Sequence, residues 1–283
     1  SEACVEWFAR GWGWLGGYHR EEAAWCFSQA VRSDPSCALA HCALALSHGP
    51  DYNFHGGNGF YELAAQPSGW PSLPLAREAL RTARSLPAEE WERGLIDALS
   101  ARYELTVRGE EGRNGEEGKE SREEGESGKG TVERMNREYA RRMEALSSTY
   151  PLNPHIAAVA AEAVLVLRPW DVYVKPSPSS TPPWDASDKR MREEGERALC
   201  LIDRGLAAAP SDAWLCHLKI HLSEMGPVDA FDWRAADEVG GKARAGGVAD
   251  VSCGGGGEGK GVGGYKGRGG RDGWRVGRYV GGW

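Results

Sequence analysis

Between Trp7 and Pro35 the chain reads WFARGWGWLGGYHREEAAWCFSQAVRSDP. Counted back from Pro35, Ala30, Phe27, Ala23, Trp14, Gly11 and Trp7 stand 5, 8, 12, 21, 24 and 28 positions earlier. That spacing suits two antiparallel helices joined by a short turn. Gly11 and Ala23 are small enough to let the helices approach closely, and Trp7, Trp14 and Phe27 are large enough to fill the seams. Pro35 lacks the amide hydrogen that a helix interior requires, so the second helix ends there. The segment therefore predicts a helical hairpin, and with it an all-α fold.

The same reading extends downstream with looser spacing. Helices are expected at Ala38–His48, Leu75–Leu86, Ala88–Glu104, Val132–Thr149, His155–Leu167, Lys189–Ala209 and Ala213–Met225, several of them closed by a proline. They alternate as first and second members of hairpins, and a stack of hairpins forms a right-handed solenoid. Three connections are long for such an array: Gly49–Ser72, Leu105–Thr131 and Arg168–Ser187. Each joins the first helix of a pair to its second, so all three should emerge on one rim.

Composition divides the chain further. Of its 39 glycines, 19 lie from Gly240 to Trp283, where 8 Lys/Arg face 3 Asp/Glu. The overall charge is −7, which leaves residues 1–239 at −12 and disfavours nucleic-acid binding by the folded part. Between Arg108 and Gly130 there are 8 Glu and 7 Gly in 23 residues, too polar a mixture to build a core. The expected organisation is repeats over 1–104, a disordered acidic insertion over 105–131, further repeats over 132–226, and a disordered Gly-rich basic tail over 227–283. No apolar run reaches the roughly 18–20 residues of a membrane span. The chain opens at Ser1 in helical pattern with no targeting segment legible, so a cytoplasmic protein with an incomplete N-terminus is expected, and its abrupt tail reads as genuine or as a gene-model artefact.

Few motifs carry chemistry. Gly254 to Lys260 nearly spells a phosphate-binding loop, but Gly261 follows where Ser or Thr is needed, and 19 glycines make such matches cheap. An Arg268-Gly269-Gly270 triplet near Tyr265 and Trp274 would support at most weak RNA association through the tail. The cysteines form no C-x-x-C pair and read as reduced, partly buried thiols. His217 and His221 stand four apart on the last expected helix and project from one face. Two imidazoles so placed are workable zinc or iron ligands if a carboxylate joins them, although no glutamate lies between them as metalloproteases require. Asp51 and Asn53 in one long connection, and Trp170 and Asp171 in another, leave the ends of first-position helices on the edge toward which His221 points. These four could complete a ligand pocket with the histidines, whereas Asp51 alone reads as an Asx-turn residue and Asp171 as a cap.

The spacing back from Pro35 resembles the 34-residue tetratricopeptide repeat. More of the chain, roughly 8–226, resembles a largely uncharacterised group of tetratricopeptide-repeat proteins. The matching residues include Phe8, His19 with Ala23, Asp34 to Ala38, Gly49-Pro50 with Asn53, Arg168 to Asp171, and His217 to His221. The resemblance implies an α-helical repeat array and brings no enzymatic activity. The acidic insertion departs from the group, and the further helices expected after Met225 do not follow.

Together these readings lead to a non-enzymatic interaction or scaffold module without a cofactor, whose protein or peptide partner lies in a concave groove. Phe8, Trp12, Cys42, Leu46, Ala161, Leu165, His217 and His221 are expected to line that groove. The alternative is a metal- or small-ligand-binding protein, with a hydrolase among its forms, built from the rim loops and the His217/His221 pair.

Overall fold

The computed structural model describes residues 1–55, 60–103, 128–174 and 190–226. The described residues form ten α-helices and one two-stranded ribbon. In chain order the helices are α1 Glu2–Gly16, α2 Arg20–Ser33, α3 Ala38–Ser47, α4 Phe60–Ala64 and α5 Leu73–Ser85. They continue with α6 Glu90–Tyr103, α7 Gly128–Thr149, α8 Pro154–Leu165, α9 Glu193–Ala208 and α10 Ala213–Glu224. The described residues are therefore mostly helical, in keeping with the expected all-α fold. The short helix α4 and the strand β1 Tyr173–Val174 lie where only connections were expected, and β2 Arg190–Met191, paired with β1, takes the first residues of the helix expected from Lys189, which begins instead at Glu193. Helix α7 begins at Gly128, inside the stretch read as acidic insertion. The rest of that insertion and the Gly-rich tail lie outside the described residues.

Local chemistry accounts for most helix ends. Ser1, Ser72, Asn153 and Asp212 each cap a helix by accepting backbone N–H groups. Between α1 and α2 the chain turns through Tyr18 at φ 61°, a conformation that a bulky side chain rarely adopts. The α1–α2 hairpin has the close approach that its spacing implied. A Cβ on Gly11 would sit 2.7 Å from the Phe27 ring, and Ala23 and Phe27 are fully buried. Trp14 departs from the expectation. It is 38% exposed and stands edge-on to His19 at 5.2 Å rather than filling the seam.

Consecutive helices pack in series from α1 to α10, with the short α4 aside. Helix α1 also packs against α10, so the described array closes on itself, whereas in an open solenoid each repeat touches only its neighbours. Two features permit closure. Gly16 lets α1 come so near α10 that a Cβ there would lie 2.9 Å from the Cβ of Trp214. Trp12 meets Trp214 edge-to-face at 5.4 Å. The stretches before and after the acidic insertion thus share one core, which runs from Leu15 and Phe27 through Leu46 and Ile96 to Val164 and Leu222.

Candidate functional site

Arg20 opens α2 on the same helical face as Ala23 and Phe27, and its side chain is completely buried. Its Nη2 donates to both carboxylate oxygens of Glu162 on α8, at 2.7 and 2.6 Å, and Nη1 donates to the Leu46 carbonyl at 3.1 Å. Its Nε lies 2.9 Å from Asp51, an ion pair without the alignment of a hydrogen bond. Burial works against the charge of this guanidinium, but Glu162 and Asp51 outweigh it and hold the pKa above its ordinary value. Asp51 also accepts the N–H groups of Asn53 at 2.7 Å and Phe54 at 2.6 Å, so the Asx-turn and the ion pair share one carboxylate.

The histidine pair sits beside this cluster. The two rings lie 4.6 Å apart, tilted by 35°. Nδ1 of His217 is 3.0 Å from the Gly16 carbonyl, which can only accept, so Nδ1 carries the proton. Nδ1 of His221 lies 3.3 Å from the Glu224 carboxylate and likewise donates. Burial, helped by His221, pushes the His217 imidazole down to about 4, and burial lowers His221 against the pull of Glu224. Both rings are therefore neutral near pH 7. Aromatic rings surround them: Tyr18 stands edge-on to His217 at 5.0 Å, and Trp170 edge-on to His221 at 5.0 Å. The Tyr52 hydroxyl fastens this wall by accepting the Trp170 N–H at 3.1 Å and donating to the Met225 sulfur at 3.2 Å.

The structure brings some of the expected site residues together and separates others. Trp170 joins the histidines, at a positive φ of 58°. Asp51 is buried but faces Arg20. Asn53 is exposed. Asp171 is half exposed and pairs at the surface with Arg192 at 3.5 Å and Arg168 at 3.9 Å. Among the described residues no three His, Cys, Asp or Glu side chains converge as metal ligands, so the histidine pair has no third protein ligand there.

The expected concave groove needs correction. Cys42, Leu46, Ala161 and Leu165 are fully buried in the core, and His217 and His221 are nearly so. Phe8 and Trp12 stack on each other at 5.9 Å and pack against that core. Closure of α1 onto α10 turns the inner face into interior, so these eight residues do not present an open groove.

An opening exists elsewhere. A cleft of about 500 Å³ lies between α2, α3 and α5, and neither histidine of the pair lines it. Ala24, Leu44, Leu75 and Ala79 are among its apolar lining, Trp25 and Trp70 are its aromatic members, and Glu21 and Glu78 stand beside them. Trp25 is 53% exposed, so its ring is accessible from the cleft, and it is braced edge-to-face by Trp7 at 5.2 Å. Trp70 is fixed by donating its indole N–H to the Ser47 carbonyl at 2.8 Å. His48 nearby accepts the Ser72 N–H through Nδ1, and burial pushes its imidazole down to about 4.

Sequence reading missed Arg20, Glu162, Tyr18 and Tyr52 as site residues. Its only clue was a lone carboxylate in the apolar run of α8 and a lone arginine on the apolar face of α2. Two opposite charges, each buried by pattern, need each other.

No protein-family model matches the chain, and neither do curated proteins or solved structures.

Proposed function

We propose that the chain is a tetratricopeptide-like interaction module that holds a partner's peptide segment in the cleft between α2, α3 and α5. The carrying observation is that cleft: about 500 Å³, apolar within, with the half-exposed Trp25 ring and two exposed carboxylates beside it. Large apolar pockets with few convergent polar groups are the usual seats of ligands, and accessible tryptophans are frequent hot spots. Glu21 and Glu78 are the carboxylates among the described residues that line the cleft, so its chemistry favours an apolar anchor residue flanked by Lys or Arg. The hairpin spacing of residues 7–35 and the helix-by-helix packing support the repeat reading. The filled inner face directs partner binding to the outer side of the array.

Selection of displayed random peptides on the full chain tests this reading. Enriched sequences should pair an aliphatic or aromatic residue with a basic neighbour and lose at least about tenfold in affinity to Trp25→Ala or to Glu21→Gln/Glu78→Gln. Enriched peptides that bind these variants as well as the wild type would refute it, as would a selection that enriches nothing.

A further inference from the structure

Arg102, in the last turn of α6, is 1% exposed. Its guanidinium lies over the ring of Tyr139 on α7, 4.5 Å from the centroid. Its Nε and Nη2 are buried and make no hydrogen bond to any described residue. The contrast with Arg20 is direct. Arg20 spends the same two nitrogens on Asp51 and Glu162, whereas no ion pair to Arg102 occurs among the described residues.

Nε and Nη2 lie on one edge of the planar guanidinium, the edge whose two parallel N–H bonds match the two oxygens of a carboxylate. A buried cation with that edge unpaired is costly, and a counter-anion removes the cost. A second buried group could donate as well. The Tyr61 hydroxyl is buried and has no hydrogen-bond partner among the described residues. Burial raises the Tyr61 phenol, and the charges of Arg102 and Arg77 pull it back. Glu162 feels the charge of Arg102 but is committed to Arg20.

We propose that Arg102 anchors a binding site for a small organic carboxylate, which takes Nε and Nη2 on its two oxygens and the Tyr61 hydroxyl as a further donor, above the Tyr139 face. The site is distinct from the peptide cleft and does not depend on it.

The full chain is titrated with acetate and with succinate, with phosphate and chloride as separate arms, and binding is followed by saturation-transfer NMR of the ligand. Both carboxylates should bind in competition with each other. Arg102→Lys, which keeps the charge and loses the fork, should weaken them at least about tenfold. Tyr61→Phe, which keeps the ring, should weaken them about threefold or more, and it decides the matter alone if Arg102→Lys does not fold. Carboxylates that do not bind, or that bind Tyr61→Phe and Arg102→Lys as well as the wild type, would overturn the proposal. Phosphate binding in preference to both carboxylates would overturn it too.

Discussion

Arg20 and Glu162, 142 positions apart in the chain, meet inside the core with both carboxylate oxygens within 2.7 Å of one guanidinium nitrogen. This contact ties the first hairpin to a helix beyond the acidic insertion. Because both side chains are almost wholly removed from water, neither can lose its partner cheaply.

Replacing Glu162 by Ala should therefore destabilise the protein by about 3–5 kcal/mol, the usual cost of leaving one member of a buried pair alone. Asp51 remains beside Arg20 and sets the lower end of that range. Urea unfolding followed by circular dichroism gives the value, and a loss below about 1 kcal/mol would mean the pair is solvated.

Gly11 and Gly13 separate packing from propensity within one helix. A methyl group at Gly11 meets the Phe27 ring at 2.7 Å, while one at Gly13 meets nothing within 4 Å. Gly11→Ala should cost about 1–3 kcal/mol by overpacking. Gly13→Ala should stabilise by up to about 1 kcal/mol, because alanine is the better helix former. Thermal unfolding of the two variants checks the opposite signs.

The recognised hairpin spacing was legible because it is local: Gly11, Ala23 and Phe27 meet within one turn of chain reversal, where residue size and helical period decide the contact. Trp14 matched the same spacing but remains half exposed, since His19 and solvent suffice for its ring. Closure was not legible. It depends on Gly16 and Trp12 finding Trp214 some two hundred positions away, and no periodicity encodes that meeting. The expected groove failed for this reason, and the histidines that were singled out are interior residues bonded to Gly16 and Glu224. The cleft depends on the path between α3 and α5, where Trp70 folds back on Ser47, again a contact without a local signature.

Stability should fall as pH is lowered from about 6.5 toward about 4. His48, His155 and His217 are each pushed down to about 4 by burial, so the unfolded chain binds protons that the folded chain refuses in this interval. The contribution is complete above the unfolded value and is lost as pH falls. Between pH 6.5 and 5 each histidine accounts for about 2 kcal/mol at most. Urea midpoints across this range should drop, and His48→Gln should flatten the slope. An unchanged midpoint would show that these imidazoles are solvated.

The central claim is that the inner face is interior and that a partner docks outside, between α2, α3 and α5. Amide hydrogen exchange of the full chain, with and without a peptide selected on it, tests this most directly. The account predicts new protection in Arg20–Ser33, Ala38–Ser47 and Leu73–Ser85, with none in Pro154–Leu165 or Ala213–Glu224. Protection confined to those last two helices would place the partner on the inner face and contradict it.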